Sequence, residues 1–251
     1  MQFDPTYNPF SLVGKTILIT GASSGIGRAT AVECSKLGAT CVITGRNEER
    51  LYETLSQMVG EGHVSIVADI STQEGIDLLV DKTPSLDGLV NNAGITKEKP
   101  IKFYKQEDLD FIFQTNAFAP MLIVKSLLKK KKINEGGSIV FVSSVAAFFS
   151  TLGNGIYGSS KAALMAYMHY AARELGVKNI RANSIHPGMV ETPLIRGGAI
   201  SEADLEKDMA RYPLGRYGKP EEIAHAIIYL LSDGAAWVTG TSLTIDGGIS
   251  L

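Results

Sequence analysis

Cysteine is scarce in this chain, with only Cys34 and Cys41 among 251 residues, and the two are not spaced as a CxxC pair. Thiols so placed build no disulfide framework and signal neither metal nor redox chemistry, so both are expected to be free in a reducing compartment. An excess of charge of one sign is also missing. The 24 basic and 26 acidic residues leave a formal charge of −2, which gives no global field to draw in nucleic acid or an anionic membrane. Histidine is limited to His63, His169, His186 and His225, which have neither metal-ligand spacing nor a nucleophile partner. No metal site is expected, and the histidines read as structural. No apolar run approaches the roughly 18 to 20 residues that would cross a bilayer. The opening MQFDPTYNPF carries an early aspartate, two prolines and no apolar core of a signal peptide. A cytoplasmic location follows as the expectation.

What is present is ordinary for a globular protein: 45% hydrophobic residues, enough to bury a large core. Neither repeats nor a dividing linker interrupt the chain, so one domain over 1–251 is expected, with an N-terminal extension at 1–12. Short β-branched runs alternate with longer stretches of helical periodicity, the pattern of a parallel sheet covered by helices on both faces. Seven strands are predicted, at Thr16–Thr20, Thr40–Thr44, Val64–Val67, Gly88–Asn91, Ser138–Ser143, Ile180–Ile185 and Ser242–Ile245. Helices are predicted at Gly25–Leu37, Glu48–Met58, Gln73–Lys82, Gln106–Lys130, Tyr157–Gly176 and Pro220–Leu231, with a kink or break at Pro120. The fold class is therefore α/β, three-layered and doubly wound around a seven-stranded parallel sheet. The stretch 192–213 is too long for a tight connection and reads as a substrate lid.

The first predicted strand runs directly into GASSGIGRAT, which puts Gly21, Gly25 and Gly27 in a turn that opens a helix. Glycines there let backbone N–H groups approach a pyrophosphate, and the helix N-terminus adds a favourable dipole. An NAD site would place a carboxylate at the end of the second strand, about 20 residues on. Here that strand ends Thr44–Gly45–Arg46–Asn47. Either Arg46 forks onto a 2′-phosphate, which favours NADPH over NADH, or it is a solvated strand end. Asp69 either meets the adenine edge or caps the next helix.

TGASSGIG at 20–27, NNAG at 91–94, Asn116, Ser144, and Tyr157 with Lys161 occur in an order and spacing that resemble the short-chain dehydrogenase/reductases. The likeness spans about Lys15 to Gly248. Its segment PLGRYGKPEEIAHAIIYLLSDGAAWVTGTSLTIDGG at 213–248 is especially similar to bacterial 3-oxoacyl-(acyl-carrier-protein) reductases. The resemblance implies a Rossmann fold with strand order 3-2-1-4-5-6-7 and a catalytic tetrad of Asn116, Ser144, Tyr157 and Lys161. It implies cofactor contacts from Gly21, Ser23, Ser24, Gly25, Ile26 and Gly27, from Arg46, Asp69 and Ile70, and from Asn92, Ala93 and Gly94. Pro187 and Gly188 would pass beside the nicotinamide, with the Val190 backbone on the carboxamide and Thr192 on the pyrophosphate. Asn116 would hold a water linking Lys161 to solvent.

Ketone reduction needs a proton at the oxygen as hydride reaches the carbon, and an acid near neutral pKa does this best. A free tyrosine, near 10, is too weak. Lys161 lies one helical turn after Tyr157, where its charge is expected to favour phenolate and its ammonium to reach the nicotinamide ribose. Ser144, at the end of the fifth strand, can donate to the developing oxyanion. Alone, a Tyr–Lys pair at this spacing is a common surface contact; its place after the glycine loop and NNAG gives it meaning.

The activity these readings imply is NADPH-dependent reduction of a 3-oxoacyl thioester. Lys129, Lys130, Arg173 and Lys178 are candidates for meeting an acidic acyl carrier protein, or are solvated cationic helix ends that suit the helix dipole. A dehydrogenase of a sugar, polyol, steroid or other small alcohol is the alternative, and a non-catalytic NADP-binding regulator a distant one. The resemblance also implies a homotetramer built from the long helices and the C-terminal segment.

Overall fold

The computed structural model describes residues 7–192 and 202–251. Within β1 (Thr16–Thr20), Ile17 and Ile19 face one side of the sheet and Leu18 the other, and all three are fully buried. A strand carrying apolar residues on both faces has to be covered on both, and this chain supplies two helical layers to do it.

The remaining strands are β2 (Thr40–Gly45), β3 (Val64–Val67), β4 (Leu86–Asn91), β5 (Ile133–Val142), β6 (Arg181–Pro187) and β7 (Ser242–Ile245), all paired in parallel in the order β3-β2-β1-β4-β5-β6-β7. Helices α1 (Gly25–Lys36), α2 (Glu48–Gln57) and α8 (Pro220–Leu231) pack Cys34, Leu51 and Ile227 against Ile17, Ile43 and Val140. On the opposite face, α3 (Gln73–Lys82), α5 (Ala119–Lys129) and α6 (Gly155–Leu175) pack Leu79, Ile123 and Leu164 against Leu18, Leu89 and Phe141.

Several boundaries differ from the expectation. Strand β5 begins at Ile133 instead of Ser138, because Ile133 pairs with Leu86 across an irregularity before Gly88; the polar, glycine-bearing INEGG gives no strand signal of its own. The N-terminal extension is partly core. Leu12 is fully buried, its N–H donates to Leu37 O at 3.0 Å, and Pro9 O accepts from Gly234 N at 2.8 Å. The helix predicted over 106–130 is α4 (Gln106–Phe113), a π-helical turn at Gln114–Phe118, and α5. Pro120 sits in the first turn of α5, where a missing N–H costs little.

Together Gln106–Lys129 form one stretch long and apolar enough to cross a membrane, contrary to the expectation that none exists. Its Ile112, Ala117, Ile123, Val124 and Leu127 are buried within the fold, which accounts for the apolar content. Of the predicted lid, 193–201 lies outside the described residues; its far part contains α7 (Glu202–Met209).

Candidate active site

The C-terminal ends of the strands carry the site, and the glycine turn after β1 is its floor. Gly21 and Gly25 have φ of +67° and +54°. Gly27 is required for a different reason: a Cβ there would lie 2.3 Å from Gly21 O and 2.5 Å from Asn92 Nδ2. That close approach latches the NNAG turn to the loop. Asn92 Nδ2 donates to Thr20 O at 2.9 Å and Gly21 O at 3.2 Å, while Thr20 Oγ1 accepts from the N–H groups of Asn92 and Ala93, both at 3.0 Å.

Ser24 precedes α1 without a side-chain cap, and the first turn of α1 holds no acidic residue, so its N–H groups are available to an anion. A Cβ on Gly25 would lie 3.1 Å from Thr192 Cγ2, which places Thr192 at the same loop. Two braces escaped the sequence reading. Arg28 Nη2 donates to Ser23 O at 2.7 Å and to Glu53 Oε2 at 2.8 Å, and Thr54 Oγ1 donates to Ala22 O at 2.9 Å. An arginine directly after GIG is visible in sequence, but its carbonyl partner is not.

Beside the loop a cleft of about 470 Å³ is lined by Arg46, Val67, Ala68, Asp69, Glu74, Gly75 and Leu78. Arg46 is exposed just past the end of β2. Asp69 does not cap α3. Its Oδ1 accepts from Ser71 N at 3.0 Å and Ser71 Oγ at 2.7 Å, and Thr72 caps the helix through Gly75 N. The Ser71 hydroxyl contributes most to holding the Asp69 carboxyl below its ordinary range, with Arg46 adding a smaller Coulombic share. Ile70 buries its side chain in the core, so only its main chain can meet a ligand. The cleft, the uncapped helix end and the exposed arginine fit a 2′-phosphorylated dinucleotide.

Tyr157 and Lys161 stand one turn apart near the start of α6. Lys161 is 3% exposed, and its Nζ donates to Val142 O at 2.8 Å and lies 5.8 Å from the centroid of the Tyr157 ring. Burial pulls the Lys161 ammonium down to about 8. Burial also pushes the Tyr157 phenol up, opposed by a hydrogen bond with Ser144. The expectation that Lys161 depresses the Tyr157 pKa is therefore not met: with the ammonium turned to Val142 O, desolvation of the phenolate dominates.

Ser144 Oγ accepts from Ala146 N at 3.1 Å, and the Ser144 carbonyl faces His186 Nδ1 at 3.2 Å. Ser143 serves the fold, donating to Lys161 O at 3.0 Å. Asn116, in the π turn, spends its side chain on the fold: Nδ2 donates to Ile95 O at 2.9 Å and Ser160 Oγ at 3.1 Å, and Oδ1 accepts from Ile95 N at 2.9 Å. Both amide hydrogens of Asn116 are thus committed within the fold. Ser160, also unread in sequence, continues the brace by donating to Tyr157 O at 2.7 Å. A Cβ on Gly94 would lie 3.2 Å from Lys161 Nζ, so this glycine makes room for the ammonium.

The segment after β6 closes the site. Pro187 pairs with Ile245, Gly188 N donates to Ile245 O at 3.1 Å, and Val190 bridges to Gly218. The candidate carrier-binding cations lie elsewhere. In a parallel βα unit the helix runs back against its strand, so the C-terminal ends of α5 and α6 sit at the opposite edge of the sheet from Tyr157. Arg173 is 16 positions after Tyr157, about 24 Å along the helix at 1.5 Å per residue. Lys130 is ion-paired with Asp81, and Lys132 Nζ caps α3 through Val80 O and Asp81 O at 2.8 and 2.9 Å; Lys129, Arg173 and Lys178 are exposed.

A doubly wound sheet with a glycine loop, and a Ser–Tyr–Lys group at the strand ends, defines a nicotinamide-dependent oxidoreductase. A family model described as enoyl-(acyl carrier protein) reductase matches residues 21–250, and the chain belongs to this branch of the short-chain dehydrogenase/reductase family. It is 36% identical over 244 residues to the 3-oxoacyl-(acyl-carrier-protein) reductase FabG of Thermotoga maritima, covering 95% of this chain and 98% of the relative. It is 35% identical over 248 residues to the L-xylulose reductase of Caenorhabditis elegans, covering 96% and 98%. The structure of the angucycline C-6 ketoreductase LanV with bound NADP superposes with a TM-score of 0.88 at 30% identity, covering 95% of this chain and 96% of that one. The protein is an oxidoreductase acting on CH–OH groups with NADP(H) as cofactor.

Proposed function

We propose that the protein reduces the ketone of a 3-oxoacyl thioester, presented on an acyl carrier protein, to the 3-hydroxyacyl product in fatty acid synthesis. The observation that carries this reading is the grouping of the half-buried Tyr157 with Ser144 and the buried Lys161 at the strand ends, in a chain whose relatives include 3-oxoacyl-(acyl-carrier-protein) reductases. NADPH, when bound, supplies hydride from its nicotinamide. The Ser144 hydroxyl orients the substrate oxygen and donates to it as negative charge develops. The Tyr157 phenol, hydrogen-bonded with Ser144, delivers the proton that completes the alcohol. The Lys161 ammonium, 5.8 Å from the ring centroid, is placed to hold the nicotinamide ribose beside Tyr157. Asn116 and Ser160 hold α6 against the loop at Ile95, fixing where Tyr157 stands.

NADPH oxidation with acetoacetyl thioesters tests the proposal; no turnover with any 3-oxoacyl thioester defeats it. Because Arg173 and Lys178 stand at the far edge of the sheet from the Tyr157 of their own chain, a carrier docked there would serve the site of another protomer. A homotetramer is proposed with it. Phe111, Phe118 and Tyr170 are exposed along the long helices, as is Leu251 at the C-terminus, on the faces expected to assemble. A cytoplasmic location is part of the same proposal.

The second reading, a small-carbonyl or sugar reductase, draws on the L-xylulose reductase relative, which is as similar as the acyl reductases. A panel of pentuloses and small ketones run beside the thioesters separates the two by kcat/KM.

A further inference from the structure

The segment Gly188–Glu191 is held from three sides. Gly188 N donates to Ile245 O at 3.1 Å, Met189 O accepts from Gly218 N at 3.0 Å, and Glu191 N donates to Gly218 O at 2.9 Å. Met189 N is held differently, by a side chain: it donates to the Tyr212 hydroxyl at 3.2 Å. With Met189 and Glu191 both bonded, the intervening Val190 N–H has no acceptor among the described residues.

Tyr212 is itself locked. It follows α7 by three residues, its ring stacks edge-on against Tyr217 at a centroid distance of 5.4 Å, and both rings are buried. Tyr217 in turn donates to Asp208 Oδ2 on α7 at 3.0 Å. The phenol of Tyr212 thus joins the helix of the lid to the Gly188–Met189 peptide, one before the peptide that carries the Val190 N–H.

We propose that Tyr212 is a positioning residue for the nicotinamide end of the cofactor: its hydroxyl fixes the Met189 peptide so that the Val190 N–H points at the carboxamide. This rests on the reading that Pro187–Thr192 runs beside the nicotinamide. The adenine and 2′-phosphate end, held by Arg46 and the Asp69 cleft, is independent of it, which makes the two ends separable by ligand.

The test compares two ligands by fluorescence or calorimetric titration of the full chain: NADPH, and 2′-phosphoadenosine 5′-diphosphoribose, which lacks the nicotinamide. Loss of one net hydrogen bond corresponds to a change of roughly two- to tenfold. Tyr212→Phe is expected to weaken NADPH by about fivefold, in that range, and to leave the nicotinamide-free fragment unchanged. Tyr217→Phe, which removes the Asp208 contact and keeps the Tyr212 hydroxyl, should preserve the wild-type ratio of the two affinities and report on whether folding tolerates changes in this ring pair. Equal weakening of both ligands by Tyr212→Phe, or of neither, overturns the proposal. A wild-type chain that binds NADPH and not the fragment overturns the cleft assignment at the adenine end instead, and with it the separation of ends on which the proposal depends.

Discussion

Tyr157 shows how burial and a hydrogen bond pull one titratable group in opposite directions. Burial pushes its phenol above the ordinary 10, so it holds its proton at neutral pH as a weaker acid than a free tyrosine, and the Ser144 hydrogen bond is the contact that opposes this shift. Burial brings Lys161 down to about 8, so its charge is present below that pH and lost above it. For ketone reduction, kcat/KM is accordingly expected to hold to about pH 8 and fall beyond, a limb that a pH–rate profile reads directly. The same depression makes the folded chain bind fewer protons at Lys161 than the unfolded chain between about 8 and 10.5, so this residue's share of stability rises with pH through that window. Tyr157→Phe should lower turnover by roughly a hundredfold or more while NADPH binding, followed by fluorescence, stays intact. Tyr157, Lys161 and Ser144 could be picked out as candidates in the sequence because their spacing, local to one helix and one strand end, follows the family's order of motifs. Ser160, Arg28 and Tyr212 were not. Their partners are the carbonyl of Tyr157, the carbonyl of Ser23 and the amide of Met189, and a main-chain atom leaves no mark on a sequence.

Among the elements, the glycine turn and α4 are the most constrained. Gly27→Ala would drive a methyl into Gly21 O and Asn92 Nδ2, so loss of cofactor binding and destabilisation of about 1–3 kcal/mol are expected, measurable by denaturant titration. At the start of α4, the buried Asp108 carboxylate takes Lys97 at 2.6 Å, Lys99, and Lys105 N at 3.0 Å. Lys97 and Lys99 hold its carboxyl well below the usual carboxylate range. With a depressed folded pKa, its stabilisation is present above pH about 4 and disappears as pH falls below that. Asp108→Asn should therefore lower Tm at pH 7 and leave much less difference near pH 2. Elements whose apolar pattern is self-contained, such as TILIT in β1, were read from sequence to the residue. The first half of β5 was not, since INEGG becomes a strand only by pairing with β4, and the π turn at Gln114–Phe118 shows in sequence only as an ambiguous proline nearby.

For the whole molecule, assembly is the open quantity. Light scattering is expected to give the mass of a tetramer, and a monomer would refute that reading. Trp237, the sole tryptophan, is fully exposed in the single chain, so dilution through dissociation should shift its emission to the red if its surface is covered in the assembly.

The two cysteines lead somewhere further. Cys34 and Cys41 are both fully buried, and burial pushes the thiol of Cys34 well up and that of Cys41 to about 12. A thiol with almost no thiolate and no solvent path does not react with an alkylating reagent. Labelling of the native protein must then wait for the sheet to open, and the incorporation of two alkyl groups per chain becomes an internal clock for global unfolding. Such a clock needs no engineered probe, and its slowing by added NADPH would measure how tightly the cofactor holds the fold closed.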